Sequence, residues 1–338
     1  MGLWTQLTGH VPQFDALATK VHPELALTLR SYLLWSPTLI DVDGLAAHLS
    51  LGRQDAIGLL LNAASVGAVE FRFESVCPSC KAPHQASEHL RDIGTKGTCM
   101  DCQKTYYNVL DSNLVVYFTL HPSVGGKRLI RDLTKSVPAS DVINTTEFRQ
   151  LFGGNVLLPG KGLAIGSVTL MFTDIYESTA TFTRRGDLDA FRLVRDHFDL
   201  LFDLIKRHNG TIVKTIGDAV MAVFPRPQDA VACALKVREE FDAFNARADV
   251  SGDSHLKIGI HEGPSIVVTL NRILDYFGTT VNTAARVQST ASKREIVLSS
   301  KVRSNPAVDE LLAMHGLHPQ GRETLLKGIA GPQTVYGV

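Results

Sequence analysis

Neither sign of charge dominates this chain: 34 Lys and Arg side chains face 34 Asp and Glu side chains in 338 residues, and the formal net charge is +0. That balance argues against a dedicated nucleic-acid coat or a polybasic membrane binder. Long hydrophobic runs are also missing. The longest nearly apolar stretch, Ala56 to Val69, is broken by Gly58, Asn62 and Gly67 and is too short to cross a bilayer, so no membrane span is expected. The first residues lack a basic flank and an uninterrupted apolar segment, and no secretory signal is expected. Cysteine is scarce: there are 5, and Cys77, Cys80, Cys99 and Cys102 form two tight pairs, unlike the scattered pattern of a disulfide framework. A reducing cytoplasm is the expected setting. Internal repeats and low-complexity tracts are absent. What remains is a chain of about two domains at roughly 150 residues each, long enough to bury substantial cores.

Helix-period apolar residues run from Thr28 to Phe73, with one short helix after Asp41-Val42-Asp43 and another after Leu51-Gly52. A following strand, Ala68 to Phe73, completes the outline of a winged helix-turn-helix. Such helix pairs occur in any small helical domain, so a plain scaffold and a nucleic-acid-binding origin both remain open, with overall neutrality weakening the second. The cysteines follow. Cys77-Pro78-Ser79-Cys80 and Cys99-Met100-Asp101-Cys102 are CxxC units separated by 18 residues, the spacing of a four-cysteine zinc site. Each CxxC turn offers two thiolates from one backbone knuckle, and two knuckles close a tetrahedron around Zn²⁺ with no open position, which makes the expected metal structural. Two strands are expected around Asp111-Ser112-Asn113, and Cys233, on an apolar helix face, is expected in a core. The expected organisation is a helical, winged-helix-like module with a zinc ribbon (1–124, ribbon 73–108), a linker (125–162) with a short helix near Thr145 to Leu151, and a second domain (163–338).

In that second domain the pattern reads as strand (167–175), helix (189–208), strands (211–217 and 219–224), helix (230–248), and a strand pair at 256–263 and 265–270. A helix (281–291) and a strand (295–300) come next. Strand, helix, strand, strand, helix, strand is the βαββαβ order of a ferredoxin-like sandwich, so the class is α+β. Asp174 ends the first strand, and Asp218 follows Gly217 in the tight turn between two others. Carboxylates at the mouths of adjacent strands can share Mg²⁺ ions that hold a triphosphate; taken singly, each is also an ordinary turn aspartate.

The segments FTDIYEST, KTIGDAVMAVF, GIHEGP, LDYFGTTVNTAARV and LLKGIAGPQTVYGV together resemble, in order and spacing, the catalytic domain of class III nucleotidyl cyclases. The resemblance covers roughly Gly162 to Val338. It implies a ferredoxin-like cyclase domain in which Asp174 and Asp218 hold two Mg²⁺ or Mn²⁺ ions and Lys214 and Asp275 read the adenine edge. Asn282 and Arg286 then orient the ribose and stabilise the transition state, and Lys327 contacts the terminal phosphates. Asn282 and Arg286 lie four residues apart on the expected helix and so share a face. Adenine offers an N1 acceptor and an N6 donor, which suit Lys214 and Asp275; guanine reverses the pattern and would prefer residues such as Glu and Cys. ATP is thus the expected substrate, cyclised to 3′,5′-cyclic AMP, with guanylate cyclase and a non-catalytic nucleotide-sensing regulator as alternatives. In the family the nucleotide site forms between two catalytic domains, which implies a homodimer here, and the front module implies an unidentified regulatory ligand or protein. Glu177 departs from the family's small residue in the first metal loop. The Gly126-Lys127-Arg128 run, His197 and His261 are read as solvated or structural groups.

Overall fold

A computed structural model describes residues 11–35, 39–125, 132–153, 157–176, 187–245, 255–271 and 273–338. The chain divides into two compact units: one of residues up to Ile165 together with Val268–Leu274, the other of Gly166–Val267 and Asp275–Val338.

Unit 1 opens with four helices, α1 (Pro12–Ala18), α2 (Pro23–Trp35), α3 (Val42–Leu49) and α4 (Arg53–Ser65). Helix α3 starts where the Asp41 side chain accepts from Gly44 N at 3.0 Å, and it ends at Ser50 in the left-handed region. Helix α4 is the second helix of the expected helix-turn-helix, yet Ala56 to Leu61 and Ala63 are all buried. A helix apolar around most of its circumference is a core element. A recognition helix must present side chains to a groove, and of this helix only the first turn, with Arg53 and Asp55, is well exposed.

The strands of unit 1 are β1 (Val69–Val76), β2 (Pro83–Ser87), β3 (Lys96–Thr98), β4 (Thr105–Tyr107), β5 (Leu114–Leu120) and β6 (Val137–Pro138). A sheet of order β2-β1-β5-β6 is joined by a separate β3-β4 pair, so the two strands flanking Asp111-Ser112-Asn113 belong to different sheets. Where a linker was expected, α5 (Ala139–Ile143) and α6 (Thr146–Leu151) bury Val142, Ile143 and Phe148. Thr145 caps α6 by accepting from Phe148 N at 3.1 Å. The outlying stretch Val268–Leu274 is fixed within this unit by Arg149, whose Nη1 donates to Leu274 O at 2.7 Å, and by Leu157 N, which donates to Thr269 Oγ1 at 3.2 Å.

Unit 2 is built on β7 (Gly162–Ile175) from Gly166 onward, α7 (Asp187–Arg207), β8 (Thr211–Ile216), β9 (Ala219–Phe224), α8 (Pro227–Asn245) and β10 (Leu256–Leu270) as far as Val267. Their strands lie in the order β10-β7-β9-β8. Numbered along the chain that is 4-1-3-2, the ferredoxin-like arrangement of a βαββαβ unit. The chain then adds β11 (Ile273–Phe277), α9 (Thr279–Ser289), β12 (Ile296–Ser299), α10 (Ser300–Arg303), α11 (Pro306–Met314), β13 (Gly321–Leu325) and β14 (Pro332–Gly337). Strand β11 pairs with β10, and β12, β14 and β13 extend the sheet beyond β10.

Two strands were expected at 256–263 and 265–270, but β10 runs unbroken through Gly263-Pro264. The Thr280 hydroxyl donates to the Pro264 carbonyl and helps hold this stretch extended. Side-chain alternation sets the two sheet faces. Met171, Ile175, Val220, Ala222, Ile258, Ile260, Ile296 and Leu298 pack with α7, α8, α10 and α11 in the main core, which also holds the fully buried Cys233. Val287 and Ala291 pack with Val297 and Val335 in a separate cluster. Gly259 allows α9 to approach: a Cβ there would sit 2.3 Å from backbone atoms of Gln288.

Candidate active site

The main site begins at one end of the central strands. Strands β7 and β9 pair antiparallel with Thr173 opposite Val220, and Val220 N donates to Thr173 Oγ1 at 3.3 Å. Asp174 follows Thr173 directly, and Asp218 lies two residues ahead of Val220, so both carboxylates stand at the same end of adjacent strands. The β8-β9 hairpin closes with Ile216 opposite Ala219, leaving Gly217-Asp218 as its turn; Gly217 takes φ +63°, the left-handed region that favours glycine.

The two carboxylates differ in their surroundings. Asp174 Oδ2 accepts from Lys257 Nζ at 2.7 Å, in a pair whose side chains are 29% and 20% exposed. Asp218 Oδ2 is buried and has no hydrogen-bond partner among the described residues. A buried carboxylate oxygen left without a donor is costly, and a hard cation with oxygen ligands would satisfy it. The residues present therefore fit a divalent metal. Beneath the turn, the fully buried ring of His197 places Nδ1 2.7 Å from Val194 O and Nε2 3.1 Å from Asp218 O. Burial pushes its pKa below the usual histidine value. His197 is thus structural and is not solvated.

Lys214 and Asp275, far apart in sequence, meet: Lys214 Nζ donates to Asp275 Oδ2 at 2.5 Å. The lysine side chain is 37% exposed and the aspartate 8%, and Asp275 Oδ1 also accepts from Tyr276 N at 2.8 Å. This pair offers a cationic donor and an anionic acceptor side by side, at a point open to solvent on the lysine side. Asn282 and Arg286 both lie on the exposed face of α9, one turn apart. Lys327 is exposed between β13 and β14, next to the buried Leu326. His261 is half-buried against Ser299, with its Nδ1 2.9 Å from Ser299 Oγ; burial and then Lys301 push its pKa down to about 4. Glu177, Lys127 and Arg128 lie outside the described residues.

Sequence reasoning missed Lys257 and the contact of His197 with the Asp218 carbonyl. Lys257 gives one faint signal: it is the one charged residue in the strand opening LKIGI, between Leu256 and Ile258, which both face the core.

A second centre lies within unit 1. The Sγ atoms of Cys77, Cys80, Cys99 and Cys102 all fall within 4.8 Å of one another, with Cys77–Cys102 at 3.7 Å and Cys80–Cys99 at 3.5 Å. A tetrahedral zinc with Zn–S bonds near 2.3 Å requires sulfurs about 3.8 Å apart, so the donor set fits that ion. Two matching knuckles supply it. Lys81 N donates to Cys77 O at 2.9 Å and Gln103 N to Cys99 O at 3.0 Å, with Lys81 and Gln103 at φ +62° and +60°. The N–H groups of Cys80 and Ser79 lower the Cys77 thiol to about 6. At Cys80 the Ala82 N–H favours the thiolate, but neighbouring Cys99 helps raise the thiol to about 12. All four thiols are free.

Residues 163–322 match the family model of the adenylate and guanylate cyclase catalytic domain. Residues 36–164 match a second model, described as a family of unknown function. Among curated proteins the chain is similar to adenylate cyclase 1 of Rhizobium meliloti (strain 1021), 35% identical over 134 residues that make up 36% of this chain and 20% of that protein. It is also similar to guanylate cyclase 2G of Mus musculus, 26% identical over 276 residues, 77% of this chain and 23% of that protein. The chain thus spans about a fifth of the length of these relatives. Among solved structures, the adenylyl cyclase CyaB from P. aeruginosa is similar at 20% identity and a TM-score of 0.45, covering 52% of this chain and 95% of that one. No helix among the described residues is long and apolar enough to cross a membrane.

Proposed function

We propose, from the premise that residues 163–322 belong to the class III adenylate and guanylate cyclase catalytic family, that this chain converts ATP to 3′,5′-cyclic AMP and pyrophosphate. The observation that carries the choice of ATP is the Lys214–Asp275 pair at 2.5 Å. Parted by an incoming base, its ammonium can donate to adenine N1 and its carboxylate can accept from the N6 amino group. Guanine presents the reverse pattern and would leave both side chains facing like partners, which is how a site rejects a near-isostere.

Asp174 and Asp218 would hold the divalent ions, Mg²⁺ or Mn²⁺. Bound there, such ions supply acidity to the ribose 3′-hydroxyl and charge neutralisation to the leaving pyrophosphate. The chain's own residues do the rest. Asn282 orients the ribose so that its 3′-oxygen can approach the α-phosphorus in line with the departing oxygen. Arg286 meets the charge that grows on the α-phosphoryl oxygens with a planar donor fork, and Lys327 contacts the terminal phosphates. Both Asn282 and Arg286 point away from their own unit on the open face of α9. This supports a homodimer in which one copy supplies the carboxylates and its partner the α9 pair.

In unit 1 the four cysteines hold one structural Zn²⁺ that ties the β1-β2 and β3-β4 hairpins into a ribbon. The module serves as a regulatory scaffold for an unidentified ligand or protein, and the burial of α4 speaks against insertion into nucleic acid. Four metal-bound thiolates suit a reducing cytoplasm.

The deciding experiment incubates the purified chain with ATP or GTP and Mn²⁺ or Mg²⁺ and separates the products by chromatography. Cyclic AMP from ATP is expected. Cyclic GMP alone would overturn the substrate assignment, and no cyclic product from either nucleotide would overturn the activity.

A further inference from the structure

The two carboxylates proposed to bind cations are not equally ready for them. Asp174 already has a cation: Lys257 Nζ stands 2.7 Å from its Oδ2, with both side chains largely withdrawn from solvent. Asp218 Oδ2 is buried without a partner among the described residues. Lys257 comes from the start of β10, the strand hydrogen-bonded to β7, which carries Asp174. Its neighbours Leu256 and Ile258 are anchored in the main core, and Ile258 N donates to Glu295 O at 3.1 Å. The ammonium is therefore delivered to Asp174 by rigid backbone and is not a wandering surface charge.

We infer that Lys257 acts as the resident counter-ion of Asp174, so that a divalent ion engages Asp218 first and gains Asp174 only by displacing the Lys257 ammonium. This deepens the proposed cyclase reading and rests on it. The physical ground is simple electrostatics. In the metal-free site the ammonium neutralises one of two carboxylates gathered at one sheet end, which would otherwise repel each other. When a doubly charged ion arrives, the same ammonium becomes an unfavourable neighbour and lowers the affinity for the ion alone. Once released, it stands beside the site with three donors and no acceptor capacity, suited to a phosphate oxygen of the nucleotide. Lys257 therefore opposes the bare cation and favours the cation delivered with its polyphosphate. A site so built stays weakly occupied until substrate is present.

The test measures Mn²⁺ binding to the full-length, zinc-loaded protein without nucleotide, by the loss of the free-ion electron paramagnetic resonance signal, alongside steady-state kinetics. Lys257→Met keeps the unbranched side chain to within one atom of its length and removes its charge. Its affinity for Mn²⁺ alone is expected to rise about tenfold, while its KM for the nucleotide rises several-fold. Lys257→Arg restores the charge and is expected to return both quantities toward wild type. A purely structural lysine would weaken both affinities or neither, so the opposed signs are the signature. Unchanged or weakened Mn²⁺ binding by Lys257→Met and by a second uncharged variant, Lys257→Gln, overturns the inference. Asp218→Ala, measured in parallel, separates the two layers. If it loses Mn²⁺ and Lys257→Met behaves as wild type, only the role of Lys257 falls; if Asp218→Ala binds Mn²⁺ as wild type does, the cation site and this inference fall together.

Discussion

Lys214 and Asp275 form an ion pair at 2.5 Å between strands β8 and β11, with the aspartate only 8% exposed. A carboxylate so enclosed needs a cationic or hydrogen-bonded partner, here Lys214 and, on the proposed reading, the base that would part the pair. Exchanging the pair for Lys214→Glu with Asp275→Cys should reverse the hydrogen-bond pattern presented to the base. We expect kcat/KM for ATP to fall by about a hundredfold and the ratio of GTP to ATP turnover to rise, read by product chromatography with both nucleotides.

A shared site predicts complementation. Asp174→Ala and Arg286→Ala proteins should each be inactive alone. Mixed at equal amounts and allowed to exchange, they should recover about a quarter of wild-type activity, because half the dimers are mixed and each keeps one intact site of two. Activity that stays absent after verified exchange would show each chain to be self-contained.

The cysteine cluster predicts one zinc per chain by elemental analysis. Chelation should release it together with four titratable thiols, and the melting transition of unit 1 should move down. Cys77→Ser is expected to reproduce that loss without chelator, since it removes one of the four sulfur donors from a fully buried position.

Gly259 predicts an effect at a distance. A methyl group in Gly259→Ala would strike the backbone of Gln288 on α9, so the helix must shift. Overpacking of this kind costs roughly 1–3 kcal/mol, measured by chemical denaturation. Because Asn282 and Arg286 ride on the same helix, kcat should fall more than KM rises.

His261 gives the pH dependence. Its folded pKa is about 4 against an ordinary value of 6.5, so between those pH values the unfolded chain binds a proton that the folded chain does not. Stability therefore falls as pH is lowered from 6.5 to 4, by on the order of 3 kcal/mol at most from this one group. Thermal melts across that range should show a shallower decline for His261→Gln than for the wild type.

Much of this was legible from sequence because the signals were periodic or spaced. The βαββαβ order followed from alternation, and the cysteine centre from two CxxC units whose knuckles then matched each other. Other features depended on pairing, which spacing does not encode. Gly263-Pro264 has the composition of a turn, yet β10 passes straight through because Thr280 bonds the proline carbonyl. Helix α4 looked like one half of a helix-turn-helix, but whether such a helix faces a groove or a core is decided by what packs around it. A lone lysine in an apolar strand reads as a solvated residue. Only the adjacency of β10 and β7 reveals that Lys257 meets Asp174.

Where the gene is cut will govern what is observed. Leu274 and Thr269 take hydrogen bonds from Arg149 and Leu157, and Asp275 is the very next residue along the chain. A recombinant fragment beginning at Gly162 discards both donors and releases the hairpin tip one peptide bond from the carboxylate that would discriminate between purines. Such a truncation should therefore display relaxed base selectivity, even with every motif of the catalytic family intact.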